Sequence, residues 1–191
     1  MNTPISKEQI YGSIKDLIGY KCIFKDHFPP EAWDQACIDL ACNDISYSYQ
    51  HIEYQKEYYS GSHSLDLSFL VVNSSGHAIA MWPIFISHTN CEYILRSGSY
   101  ILEPILSLSL DFKMAKILSI NCFNILKVIK ETYGIGTSKI ICLPHRQDSF
   151  RFKDCCVINK LQSTIGFEVV VDLSKGYDNA FGQYKQTNRN V

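Results

Sequence analysis

Neither sign of charge predominates in this sequence. Its 191 residues carry 18 Lys+Arg against 19 Asp+Glu, a net charge of -1, and only 19% of the chain is charged. That balance supplies no bulk field for nucleic acid or an anionic membrane surface, so no DNA partner is expected. Long apolar runs are missing too. The longest largely apolar stretches, Ala78–Ile86 and Ile117–Leu126, fall well below the roughly 20 residues of a membrane-spanning helix. Lys7, Glu8, Lys15 and Asp16 interrupt the first helix-like segment, which excludes a signal-peptide core there. No repeat, low-complexity tract or Gly/Pro/Ser-rich linker breaks the chain.

Cysteine is not scarce. There are eight, but a chain this long with a normal apolar fraction does not need the staples of a small secreted scaffold. Cys22, Cys91, Cys122 and Cys142 sit in apolar surroundings, where a thiol packs as a small hydrophobe. These features predict a reduced, cytoplasmic protein.

The pattern along the chain predicts an α+β fold. Ser6-Lys7-Glu8-Gln9 has the form of a capping box. It opens a helix with Ile10, Ile14, Leu17 and Ile18 on one face and Gly19 at its end. Pro30 suits the first turn of a second helix carrying Trp33, Cys37 and Leu40. A third is expected over Gln50–Tyr59, within a stretch holding Tyr47, Tyr49, Tyr54, Tyr58 and Tyr59. Leu65, Leu67, Phe69 and Val71 alternate, the period of one half-buried strand. The turn Asn73–Gly76 and a returning strand over His77–Ser87 complete a hairpin. Pro83 then implies an edge position or a bulge. Cys91–Arg96 reads as a third strand ending at Ser97-Gly98-Ser99. The longest helix spans Leu110–Tyr133, with Ala115, Leu118, Cys122, Ile125, Leu126 and Ile129 on its apolar face. Strands over Lys139–Leu143 and Gly166–Leu173 follow, and Ser174 caps a last helix running to Val191.

Candidate chemistry is sparse. Gly134-Ile135-Gly136 follows a helix, whereas a phosphate loop must precede one, so it reads as a C-cap. Cys142 and His145 lie close in sequence, but the apolar run Ile140–Leu143 favours a packed thiol over a nucleophile. Cys37, Cys42, His51 and His63 lack the paired spacing of a structural zinc site, and no metal is expected. Lys113, Lys116, Lys127 and Lys130 form a stripe flanked by Asp111 and Glu131, the pattern of a solvated helix face. His145 and Arg146 stand with Asp148 in a polar loop after a strand, suited to an anionic ligand. Tyr177, Phe181 and Tyr184 share one helix face, and Lys185 and Arg189 stack at i, i+4. Lys175, Lys185 and Arg189 against Asp178 make residues 173–191 locally +2.

One set of motifs resembles a known family. The strand Val169–Leu173, the turn Asp172-Leu173-Ser174, and a helix with Phe181 and the basic Lys185 and Arg189 resemble the FemAB family, tandem acyltransferases of the GNAT superfamily. Glu31-Ala32-Trp33-Asp34, Tyr49 to Tyr54, Phe69-Leu70-Val71-Val72 and Ala80-Met81-Trp82-Pro83-Ile84 agree with its early elements. Gly98, Tyr100, Glu103 and Pro104 stand where the family has Gly-Tyr and Gly-Pro. The resemblance covers Phe28 to Val191. It implies a GNAT-like mixed, largely antiparallel central sheet flanked by helices. Residues 1–174 would be the N-terminal domain, and 175–191 the start of a basic helix leading to a second GNAT-like half.

The implied activity moves an acyl group from acyl-CoA or aminoacyl-tRNA to an amine in cell-surface polysaccharide or cell-wall precursor assembly. The implied substrate is a small molecule or nucleotide sugar, and the implied partner the C-terminal half of the same protein. Tyr100, Glu103, His145, Arg146, Lys185 and Arg189 are the expected substrate-binding groups, with no catalytic base assigned. The superfamily's Arg/Gln-x-x-Gly-x-Gly/Ala loop between strand and helix is absent. Glu131–Gly136 has its glycine spacing in the wrong context. A non-catalytic scaffold on the same fold is therefore the alternative expectation.

Overall fold

The structure, a computed structural model, describes residues 6–42, 44–60, 64–89, 92–136, 139–141 and 152–158. The chain divides into two compact units, Met1–Leu161 and Gln162–Val191, and every described residue lies in the first. The strand and helix expected beyond Gly166 lie outside the described residues.

The N-terminal helix forms as its capping box dictates. In α1 (Lys7–Ile18) the Ser6 hydroxyl accepts from the Gln9 N–H at 3.3 Å, and the Gln9 carboxamide accepts from the Ser6 N–H at 2.8 Å. Ile10, Ile14 and Ile18 are buried on one stripe, and Gly19 ends the helix at φ 68°, a left-handed turn that glycine adopts without penalty. Strand β1 (Lys21–Phe24) follows, then α2 (Pro30–Asp39), with Pro30 in the first turn as expected. The Trp33 indole donates to the Tyr47 carbonyl at 2.9 Å, tying α2 to the turn that introduces α3 (Tyr49–Ser60).

The single hairpin expected over residues 64–87 is instead a hairpin broken in both arms. Its outgoing arm is β2 (Ser64–Asp66) then β3 (Phe69–Val72); its return is β4 (Ala78–Trp82) then β5 (Phe85–Thr89). β3 and β4 enter a four-stranded sheet, while β2 and β5 enter a three-stranded one with β6 (Glu92–Arg96). Pro83 thus sits neither on an edge nor in a bulge. It marks the step between sheets, where a missing N–H costs no ladder bond. Ser68 bridges the step from the other arm: its hydroxyl accepts from the Ile84 N–H at 3.1 Å and donates to the Ile84 carbonyl at 3.2 Å.

Nor is the first arm half-buried. All four residues of β3 are buried, because helices cover both faces of its sheet. Phe69, Val71, Ala80 and Trp82 join one core with α1 and α4 (Phe112–Tyr133), whereas Leu70, Met81 and Ile105 join a second with Trp33, Leu40, Tyr47 and Ile52 of the α2–α3 region. Alternation here sorts residues between two cores, not between core and water.

The strand after the hairpin carries an excursion. Arg96 pairs with Phe85 and Ile105 with Met81, so residues 97–104 stand against only 82–84. The surplus holds β7 (Ile101–Leu102) and ends at β8 (Ile105–Leu106), which closes the four-stranded sheet in the order β1-β3-β4-β8. Asp111 caps α4 through the Met114 N–H at 2.7 Å, and Gly134 ends it at φ 64°. The expected apolar face of α4 is buried at all six positions, while Lys113, Lys116 and Lys127 are exposed. After α4 the chain returns as β9 (Ile140–Ile141), parallel to β7, and α5 (Phe152–Ile158) packs on the α4 side through Phe152. The architecture is a mixed α+β fold in which every other strand pairing among the described residues is antiparallel. No helix among the described residues is long and apolar enough to cross a membrane.

Candidate functional site

The excursion opens a cleft of about 310 Å³ between α3 and the bend Ser97–Tyr100, with Leu102 of β7 and Ile141 of β9 in its wall. The α3 side is built by helical spacing. His51, Gln55, Tyr58 and Tyr59 recur at i, i+4, i+7 and i+8, and Tyr54 extends the same wall. Tyr54 and Tyr58 stack with ring centroids 6.0 Å apart, and Tyr58 meets Tyr59 edge-on at 4.9 Å, both favourable aromatic geometries.

Tyr59 fastens the two walls together. Its hydroxyl lies 2.6 Å from the Ser99 hydroxyl, and the Arg96 guanidinium sits 4.3 Å from its ring centre. Arg96 is also committed to the Ser87 hydroxyl at 3.0 Å. The opposite wall is held by Ser97, which donates to the Pro83 carbonyl and accepts from the Leu102 N–H at 3.0 Å. Gly98 leans against α3: a Cβ there would come 3.3 Å from the Gln55 side-chain oxygen.

Behind the cleft, the other face of α3 is anchored by charge. Lys25, only 2% exposed, pairs with Glu53 and stands 3.4 Å from Asp66, while Lys56 bonds both carboxylates at 3.0 Å. The Tyr49 ring covers the Lys25 ammonium at 3.8 Å, and Asp66 also accepts from the Ser68 N–H at 2.9 Å. Burial opposes the charge on Glu53, but the Lys25 and Lys56 ammoniums outweigh it and hold the carboxyl below its usual range. Burial likewise opposes the charge on Lys56, and Asp66 with Glu53 reverses that, raising it. Two cations and two anions therefore close on one another and fix α3 to the strand β2.

Tyr100 lines the cleft and is 44% exposed. Glu103 does not line it. That residue is 5% exposed, and its backbone serves the fold: its N–H donates to the Ile141 carbonyl at 3.1 Å and its carbonyl accepts from the Tyr47 hydroxyl at 2.8 Å. His145, Arg146, Lys185 and Arg189 lie outside the described residues, as do Cys91, Cys142, His63 and Asp148. The expected small-hydrophobe role holds for Cys22 and Cys122, both buried, with burial pushing the Cys22 thiol up to about 12. The cleft face of α3 escaped sequence reasoning, although its period was present in the tyrosine-rich stretch.

The described site is a small, uncharged, aromatic cleft beside the only parallel strand pair among the described residues. No family model, curated protein or solved structure matches this chain.

Proposed function

We propose that this chain is a GNAT-like acyl-transfer domain related to the FemAB family, acting on an amine in cell-surface polysaccharide or cell-wall precursor assembly. The observation that carries the reading is the order of elements around one parallel pair. A strand, two helices, an antiparallel meander and a long helix precede a strand that returns parallel to β7. The motifs around Trp33, Trp82, Gly98 and Tyr100 that resemble the family fall on that frame.

In such a transfer the amine lone pair attacks the acyl carbonyl. The bond to the donor's sulfur or oxygen then breaks, the leaving group keeps the electron pair, and the amine proton passes to a base. Holding amine and carbonyl together removes most of the entropic barrier. His51 is the cleft imidazole, and imidazole is the side chain most used for such proton removal. Tyr100 is assigned to acceptor contact and Glu103 to support of the cleft floor. His145, Arg146, Lys185 and Arg189 are proposed as substrate-binding groups on the sequence resemblance alone. Acyl-CoA is the first donor to test, aminoacyl-tRNA the second.

The rival reading, a non-catalytic scaffold on the same fold, is favoured by one observation. Within Glu131–Gly136, Gly134 caps the end of α4, and the glycines follow that helix instead of opening one toward a phosphate. Calorimetric titration of the folded 191-residue chain with acetyl-CoA and longer acyl-CoAs decides between them, alongside transfer assays with aminoacyl-tRNA. Saturable heat or transfer, with kcat reduced in His51→Gln, is expected. A folded chain that neither binds nor transfers from either donor class is the scaffold.

A further inference from the structure

The cleft's hydrogen-bonding inventory narrows what enters it. No Lys, Arg, Asp or Glu lines it among the described residues, and the nearby Arg96 is engaged by Tyr59 and Ser87. A phosphate or carboxylate therefore finds no lysine or arginine lining the described wall to offset its desolvation. Uncharged capacity is plentiful by contrast. The hydroxyls of Tyr54, Tyr58 and Tyr100, the His51 ring and the Gln55 carboxamide make no hydrogen bond to another described residue, and each carries donors or acceptors.

Aromatic faces supply the remaining contact. Tyr54 and Tyr58 are 60% and 67% exposed, an unusual outlay of large rings at the mouth of a cavity. Rings at two helical positions one turn apart present adjacent flat surfaces with polar tips. A cavity of about 310 Å³ stands at the small end of ligand sites, roughly 300–1,000 Å³. That is room for a sugar ring or two, not for a whole nucleotide cofactor. The matching ligand is flat on its C–H face, rimmed by hydroxyls and without charge.

From this we infer that the cleft between α3 and Ser97–Tyr100 binds an uncharged hexopyranoside, its apolar face on Tyr58 and its hydroxyls on Tyr54, Tyr100 and Gln55. The inference deepens the acyl-transfer reading, on which it rests only for the reaction: the acceptor's glycan ring sits here while its amine meets the donor.

The test needs no donor. Saturation-transfer NMR of the full chain is run with methyl hexopyranosides, with methyl N-acetylhexosaminides and with hexose 6-phosphates. Saturable transfer to ring protons of at least one neutral glycoside is expected, weakened about tenfold in Tyr58→Ala, with no gain from the phosphate. Tyr58 is exposed, so an unchanged circular dichroism spectrum and urea midpoint separate lost contact from lost fold. Three results overturn the inference: no neutral glycoside saturates the folded chain, only phosphorylated sugars do, or Tyr58→Ala binds as the wild type does. Glycoside binding without acyl-donor binding would leave the cleft assignment standing and remove the acyl-transfer reading, and the converse would do the reverse.

Discussion

On one face of the four-stranded sheet, α1 and α4 press a continuous aliphatic surface: Ile10, Ile14 and Ile18 against Leu118, Cys122, Ile125 and Ile129, all buried. On the other face α2 brings Trp33 and Cys37, but α3 contributes Ile52 as its only buried apolar side chain among those described. A helix with so thin a stripe has little hydrophobic reason to stay in place. The Lys25–Glu53–Lys56–Asp66 network meets that need. The difference explains where a site is possible. The α1–α4 face spends its side chains on burial, whereas α3, fastened by charge along one edge, keeps the rest of its circumference for four uncommitted polar or aromatic groups, His51, Tyr54, Gln55 and Tyr58.

Loss of framework should give the largest effect. Leu118 is fully buried beneath α1, and Leu118→Ala is expected to cost about 2–5 kcal/mol by lost transfer energy and a cavity. The urea midpoint checks it, and glycoside transfer by the remaining folded fraction should be unchanged. Next comes Lys25→Met. Asp66 keeps Lys56, so the expected loss is about 3 kcal/mol, the lower end for removing one partner of a buried pair. Unlike the Leu118 variant, it should also weaken ligand binding, because α3 loses its anchor. If Lys25→Met lowers stability yet leaves the cleft untouched, the coupling between anchor and site is wrong.

Ala41 sharpens the same comparison from the opposite direction. It follows α2 at φ 52°, the one non-glycine residue with positive φ among those described, and a Cβ is penalised there by about 1–2 kcal/mol. Its N–H still closes the helix end on the Ile38 carbonyl at 2.9 Å. Ala41→Gly removes the clash but gives the unfolded chain more freedom, so a net gain of about 0.5–1 kcal/mol is expected. A melting temperature no higher than that of the wild type would count against strain on the α2–α3 side.

Much of the framework was legible because it is local. The capping box at Ser6, Pro30 in a first turn and the six apolar positions of α4 each act within a few residues. The breaks at Leu67-Ser68 and Pro83-Ile84 were not, because the alternation of the first arm and the apolar run of the second pass through them unchanged while the sheet to which each half belongs is decided elsewhere. β7 and β8, two residues each, are too short for any period. The candidate site was half legible. Tyr100 was placed by its loop, but the cleft exists only where α3 meets a bend some forty residues later. Glu103 looked like a polar group in that loop, but it is buried, and its backbone N–H completes the pairing with Ile141.

The smallest expected effect bears most directly on the wall between those two segments. Gly98 has no positive φ, so substitution there tests space alone. A Cβ at 3.3 Å from the Gln55 side-chain oxygen asks its neighbour to move a few tenths of an ångström. That neighbour is the end of a flexible side chain on the cleft face, so Gly98→Ala should change stability by no more than about 0.5 kcal/mol. Displacing the carboxamide also displaces one ligand contact. Glycoside binding should therefore fall about two- to threefold, the scale of one weakened neutral hydrogen bond. Gly98→Ala in a Gln55→Ala background removes the clash along with the contact, and the two changes should not add. Additive losses would mean that the bend and α3 act on the ligand separately and do not form one wall.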